Sequence, residues 1–258
     1  MKPPRTSAFD ATANSYERHR SLPSGVPEAV RSAIWQAVRV PAPARVLDLG
    51  AGTGRFGKAF VAAGDLYAGV DMSFAMLREF RAACKDGFLA QADGRQLPFC
   101  NDAFDVVLLM QVLSGAGDWQ GILNEARRVL RPGGSVVVGH TVSPESGIDA
   151  QLKHRLRDIL EEMQVASHRS QESRRQALAF LESISKLHTH SLAASWNVNT
   201  TAREFLQRHR TGARFAALPV DIQDQALGKL CAWAETTFGS LDAGFQEKRN
   251  FELEIFGF

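Results

Sequence analysis

A chain of 258 residues is long enough to bury a core without disulfides or a structural metal, and fits one or two domains. Apolar residues at 45% and charged residues at 22% are globular proportions and exclude a largely disordered chain. With 30 basic and 28 acidic side chains the formal charge is only +2, so no strong basic field exists and nucleic acid is not an expected partner. Cys84, Cys100 and Cys231 are far apart and form no C-x-x-C pair, which argues against a zinc ribbon or a disulfide framework and fits a reducing cytoplasm. No apolar run approaches the roughly 20 residues of a bilayer span. The polar start Met1-Lys2-Pro3-Pro4-Arg5 lacks the apolar segment of a signal peptide. A cytoplasmic protein with no membrane partner is the expectation.

In chain order, a short helix is predicted around Tyr16-Glu17-Arg18-His19-Arg20. Val26, Val30, Ile34 and Val38 then mark one helix face, with Ser24 as N-cap, Pro27 in the first turn, and Pro41 and Pro43 beyond its end. Val46-Leu47-Asp48-Leu49 reads as a buried strand running into glycines. A helix from Phe56 to Ala63, a strand from Leu66 to Val70 and a helix from Met72 to Ala83 capped by Ser73 follow. Then come short strand Phe88-Leu89-Ala90, the apolar strand Phe104 to Met110, helix Trp119 to Leu130 and strand Val136-Val137-Val138. Strands alternating with helices imply a mostly parallel sheet covered on both faces. After Pro144 the spacing of Leu152, Leu156, Ile159 and Met163, and of Ala177, Leu178, Leu181 and Ile184, predicts two helices. Leu192, Ala194, Trp196 and Val198 alternate as a strand. Helices around Phe205 and from Ile222 to Phe238 precede a last strand bearing Phe251, Leu253 and Ile255. No internal repeat is present.

The glycine loop carries the chemistry. In Asp48-Leu49-Gly50-Ala51-Gly52-Thr53-Gly54-Arg55-Phe56-Gly57 a strand enters a turn where a ligand can approach bare main chain. Asp71 stands 21 residues after Gly50, a spacing suited to an acceptor of ribose hydroxyls. The string Gly52 to Gly57 also matches a dinucleotide fingerprint. That match is discounted, because the strand-ending glycine is Gly50 and the third fingerprint glycine would then fall on Arg55. Asp48 inside an apolar strand is costly without a partner, and a cationic ligand would offset the cost.

Four segments in order resemble the class I S-adenosylmethionine-dependent methyltransferases, in particular the small-molecule type 11 group. They are Asp48-x-Gly50-x-Gly52-x-Gly54, Gly69-Val70-Asp71-Met72-Ser73, Gln91-Ala92-Asp93-Gly94-Arg95-Gln96-Leu97-Pro98-Phe99, and Ala126-Arg127-Arg128-Val129-Leu130-Arg131-Pro132-Gly133-Gly134. The resemblance covers roughly residues 9–140. It implies a Rossmann-like α/β sheet of seven strands, mostly parallel with the last antiparallel, and S-adenosyl-L-methionine as cofactor. In that reading the main chain at Gly50, Ala51 and Gly52 borders the methionine part and Asp48 lies near its ammonium. Asp71 accepts from the ribose, Met72 packs on adenine, and Asp93 accepts from the adenine amino group with Gly94 beside it. Gln111 lines the methionine end. Tyr16 and Arg20 belong to an N-terminal helix closing over the cofactor. A histidine often follows the fourth strand in this family, but Gln111-Val112-Leu113-Ser114 stands here.

The expected organisation is an N-terminal helical cover (1–44), a cofactor-binding core (45–144), and lid helices with the last strands of the same sheet (145–258). Lid contacts would set substrate choice, and Phe205, Leu206, Phe215 and Leu218 suggest a pocket of apolar character. His140, at the end of the fifth strand, is the candidate catalytic base, with His19 a weaker one. His188 and His190 share a strand face, but no third ligand follows by spacing, so no metal is expected. Trp119 could touch substrate or pack in the core. The reading is methyl transfer to a small-molecule acceptor by a monomer or homodimer. Its rivals are an NAD-dependent Rossmann oxidoreductase and a non-catalytic cofactor-binding protein on the same fold.

Overall fold

The computed structural model describes residues 10, 13–114, 116–165, 170–210 and 212–258. Helices α1 (Ala13–Arg20) and α2 (Val26–Ala37) lead into β1 (Arg45–Leu49), α3 (Gly57–Ala62), β2 (Leu66–Asp71), α4 (Phe74–Ala83) and β3 (Phe88–Gln91). Then come β4 (Phe104–Met110), α5 (Trp119–Val129) and β5 (Leu130–Val142). Helices α6 (Ile148–Glu162) and α7 (Ser170–Ile184) precede β6 (Leu187–Thr200). Helix α8 (Ala202–Arg210), the short α9 (Ala213–Ala216) and α10 (Val220–Phe238) separate β6 from β7 (Phe245–Gly257). The Ser73 hydroxyl caps α4 by accepting from Met76 N at 3.2 Å, as the sequence predicts. Ser24 does not cap α2: Gly25 holds the N-cap position and supplies no side-chain bond.

The strands form one sheet in the order β3-β2-β1-β4-β5-β7-β6. Strands β1 to β5 pair in parallel, and β7 runs antiparallel to both β5 and β6. This is the seven-stranded architecture expected from the resemblance. The chain winds outward from β1 to β3, then returns to β4 and builds the other way. Its direction reverses between β1 and β4, and ligands of such sheets bind at the carboxyl ends there.

Alternation along the strands divides the core. Leu47, Leu49, Val107, Leu109, Val136 and Val138 pack with α5 on one face. Val46, Val106, Leu108 and Val137 meet α2, Phe60 and Phe80 on the other. Every residue of β4 is buried, which accounts for its unbroken apolar run. Trp119 belongs to the first core, its ring 5.7 Å from that of Phe180.

The stretch after β5 serves two purposes. Ala177 and Leu181 of α7 join the sheet's own core, so α7 covers the sheet. The apolar faces of α6, α8 and α10 make a separate core with Phe205 and Phe215, against which Leu206 and Leu218 pack. The four residues expected to give a pocket apolar character are therefore the inside of this helical layer, and none of them lines the cavity described below. Of the N-terminal stretch, α2 lies against the sheet through Val26, Val30 and Ile34.

Phe80 is fully buried on α4, its ring 6.0 Å from that of Tyr67 beneath the glycine loop. Phe80→Ala should cost about 3–5 kcal/mol of unfolding free energy, because the loop above cannot collapse into the space. Urea denaturation followed by circular dichroism measures this, and a loss under ~1 kcal/mol would contradict the packing described.

Candidate functional site

A cavity of about 390 Å³ opens at the carboxyl ends of β1 and β4. Its floor is the loop after β1. Gly50 takes φ 86°, and a Cβ there would stand 2.5 Å from Val112 Cγ2, so glycine alone lets the two loops meet. Gly54 takes φ 79°, and its Cβ would enter the Phe80 ring. The N–H groups of Gly50 and Ala51 donate to Val70 O at 2.8 and 2.9 Å. Gly52 N donates to Asp71 Oδ2 at 2.9 Å, and Ser73 N donates to Asp71 Oδ1 at 2.8 Å. These bonds fix Asp71 beside the loop. Burial raises the Asp71 pKa, and the two backbone donors oppose the rise.

Asp48 is 2% exposed on the cavity wall. Tyr67 Oη donates to its Oδ2 at 2.8 Å, while its Oδ1 is buried with no hydrogen-bond partner. Burial pushes its pKa up to about 7, with Asp71 adding to the rise and the Tyr67 hydroxyl opposing it. An unsatisfied buried carboxylate oxygen beside a cavity is a receptor for a cation.

The other candidates fall into three groups. Tyr16, Met72, Asp93, Gly94 and Gln111 line the cavity together with Asp48, Gly50, Ala51, Gly52 and Asp71. Gln111 is in the left-handed region at φ 61°, a strained conformation for a non-glycine residue. Its Nε2 donates to Thr141 Oγ1 at 2.7 Å, and its Oε1 accepts from Arg55 Nη1 at 3.0 Å. The Asp93 carboxylate is engaged by Arg95, whose Nε and Nη2 donate at 3.0 and 2.8 Å.

Arg20 and His140 are not among the cavity-lining residues. Arg20 lies behind Tyr16, its guanidinium carbon 5.2 Å from the ring centroid. His140 turns toward α7, where Arg174 Nη2 lies 2.6 Å from its Nε2. The same Nη2 lies 3.0 Å from Nδ1, and because a guanidinium can only donate, its approach to the ring nitrogens favours the neutral imidazole. Burial and then Arg174 lower its pKa to about 4. So weak a base is ill matched to activating a hydroxyl at neutral pH. The His19 side chain lies outside the described residues. His188 and His190 bond Glu254 and Glu252 at 2.8 and 3.2 Å, and no metal-binding cluster occurs among the described residues.

Sequence reasoning passed over Arg55, Glu17 and Arg95. Arg55 lines the cavity, and its Nε is buried without a partner. Its position in the glycine loop was a usable signal, but it was weighed only as a mismatch to a fingerprint. Glu17 accepts from Thr53 Oγ1 at 2.5 Å and from Lys58 Nζ at 3.0 Å, tying α1 to the glycine loop. No spacing rule connects residues so far apart.

Residues 47–138 match the family described as Methyltransferase domain. The match runs from β1 into β5. The demethylmenaquinone methyltransferase of Tropheryma whipplei (strain Twist) is 32% identical over 155 residues, 59% of this chain and 65% of that one. The enzyme of the same name from Clavibacter sepedonicus is 36% identical over 148 residues, 55% of this chain and 60% of that one. The chain thus spans less than two thirds of the length of these relatives. Among solved structures, the YcgJ protein from Bacillus subtilis covers 89% of this chain and 97% of its own at TM-score 0.53 and 20% identity. The [4+2]-cyclase SpnF covers 97% of both at TM-score 0.51 and 15% identity. These neighbours share the fold of this chain. No described helix of the chain is long and apolar enough to cross a membrane.

Asp48 gives the core of the sheet a pH signature. Its pKa is raised in the fold, so the folded state holds a proton that the unfolded chain releases. Its contribution to stability is therefore most favourable below the ordinary carboxylate range and declines as pH rises toward about 7. Asp48→Asn should flatten that slope between pH 4 and 7 in unfolding titrations. An unchanged slope would contradict the burial argument.

Proposed function

We propose that this chain binds S-adenosyl-L-methionine and transfers its methyl group to a small-molecule acceptor. The observation that carries the reading is the partnerless buried oxygen of Asp48, beside main chain closed to anions and a second acid, Asp71. Bound cofactor supplies a methyl carbon on positively charged sulfur, open to in-line displacement. Asp48 Oδ1 accepts from the cofactor's ammonium, and Arg55, with its own buried unpartnered Nε, takes its carboxylate. Asp71 accepts from the ribose hydroxyls through the lone pairs its two backbone donors leave. Met72, 39% exposed, offers its side chain to the adenine face, with Asp93 and Gly94 at the edge. Tyr16 closes the methionine end from α1, which Glu17 anchors to the glycine loop. The protein's part in the transfer is alignment and exclusion of water.

The site is ill suited to NAD. A pyrophosphate needs free N–H groups at the glycine turn. Here Gly50 and Ala51 spend theirs on Val70 O, and Asp48 would repel the phosphates. One observation favours a second reading, cofactor binding without methyl transfer: no histidine or lysine lines the cavity among the described residues. An amine or carbanion acceptor needs little help from a base, so the lining is equally compatible with transfer to such groups. Incubation with methyl-labelled cofactor and a panel of acceptors separates the two, since label in any acceptor dismisses the second reading.

Asp71→Ala should weaken S-adenosylhomocysteine binding about tenfold or more in calorimetry, as charge-assisted hydrogen bonds are worth roughly 1.5–3 kcal/mol. Unchanged affinity, or stabilisation of the wild type by NADH but not by S-adenosylhomocysteine, would sink the assignment.

A further inference from the structure

Gln111 follows the last residue of β4, but its backbone is not strand-like. It takes φ 61°, and such strain persists only where the surroundings over-determine it. Its N–H donates to Gly139 O at 2.8 Å, which ties the turn to β5. The next residue, Val112, is the one that a Cβ on Gly50 would strike. The turn therefore sets the loop after β4 against the glycine loop, and the Gln111 side chain joins the two. Arg55 Nη1 donates to Gln111 Oε1 at 3.0 Å, and Gln111 Nε2 donates to Thr141 Oγ1 at 2.7 Å. A guanidinium has no acceptor, so the amide atom facing Arg55 is the oxygen. The amide nitrogen then faces Thr141 and donates to it. The chain of bonds from the glycine loop to β5 can run in this direction only.

What the chain holds is one corner of the Arg55 guanidinium. Elsewhere in the molecule, Arg31, Arg95, Arg128 and Arg203 each grip a carboxylate with Nε and Nη2, the edge that does not include Nη1. In Arg55, Gln111 engages Nη1, and Nε on the carboxylate-gripping edge is buried with no partner. Arg55 and Gln111 both line the cavity. Tyr16 and Glu17 of α1 face the same guanidinium. The two Glu17 oxygens, however, already accept from Thr53 Oγ1 and Lys58 Nζ. A planar fork with an unfilled donor beside a cavity is matched in geometry and charge by a carboxylate.

We propose that Gln111 is a positioning residue, which holds Arg55 by Nη1 so that the Nε and Nη2 edge meets the carboxylate of the cofactor's methionine part. This rests on the S-adenosyl-L-methionine reading above and changes the part Gln111 plays in it. Gln111 acts on the cofactor through Arg55. Thr141, which no motif singles out, is the far anchor. Its bond to Nε2 keeps the amide from rotating and releasing the guanidinium.

The test is calorimetry with two ligands, S-adenosylhomocysteine and its decarboxylated form, which keeps the ammonium, the sulfur and the nucleoside and lacks only the carboxylate. The wild type should prefer the first by about tenfold or more, the worth of a charge-assisted bond. Gln111→Leu should remove most of that preference by weakening S-adenosylhomocysteine alone, with the decarboxylated form bound as by the wild type. Gln111→Glu should remove it too, because a carboxylate on that side neutralises Arg55. Thr141→Val takes away only the anchor and should lower the preference about threefold, the worth of a neutral hydrogen bond. Should Gln111→Leu fail to fold, Thr141→Val and Gln111→Glu decide by the same ratio. A preference unchanged in these variants, or equal losses for both ligands, would mark Gln111 as merely structural and overturn the proposal. Equal binding of the two ligands by the wild type would also overturn it, while leaving the cofactor reading intact. If neither ligand binds the wild type, the cofactor reading itself falls.

Discussion

A carboxyl group set in the middle of an apolar strand organises this molecule. Asp48 lies between Leu47 and Leu49, which face the α5 side of the sheet, and its own side chain points toward the aromatic layer beneath α3 and α4. Tyr67, one strand over, supplies a single hydroxyl to it at 2.8 Å. That bond meets half of the carboxylate's demand and leaves the other half to whatever enters the cavity. The glycine loop exists in its present form because the same layer is crowded: Gly57 and Gly69 both press against the Tyr67 hydroxyl, and Gly54 against Phe80. Packing that fixes Tyr67 thus also fixes the loop, and the loop fixes Asp71 through Gly52 N. Fold stability and the proposed cofactor recognition share these residues, so changes in one disturb the other.

The layer of α6, α8 and α10 has the opposite construction. Its interior is an independent apolar core, and Asp149 of α6 and Arg208 of α8 meet Arg249 of β7 at its border with the sheet. A helix from the N-terminus, α1, bridges the two regions: Glu17 holds it to the glycine loop, Tyr16 faces the cavity and Arg20 faces the lid. Phe205 and Phe215 keep α8 in place from behind and have no part in the cavity wall.

The sheet does not decide the reaction. A protein named as a [4+2]-cyclase shares this topology with YcgJ and with the present chain. Chemistry follows from side chains at the carboxyl edge. His140 illustrates the point. Its position at the end of β5 is where a base would be sought, but even-numbered residues of β5 face α5 and α7, and Arg174 fixes the ring there. A residue one place along the strand points to the other face of the sheet.

The sequence by itself determined the strand and helix order, the glycine loop, and most of the acidic residues around the cavity. These features depend on local periodicity and on motifs whose members lie within a few residues of one another, and covalent spacing carries that information. The cap at Gly25, the engagement of Asp93 by Arg95, and the burial of Phe205 and Phe215 inside the lid were decided by tertiary structure. So were the placing of His140 and Arg20 outside the cavity lining and the gathering of Arg208 and Arg249 around Asp149. Each depends on which face of an element turns toward a partner distant in the chain. Apolar periodicity records that a face is buried but not what it is buried against, and the field at a charged group is set by neighbours that only the folded chain brings together.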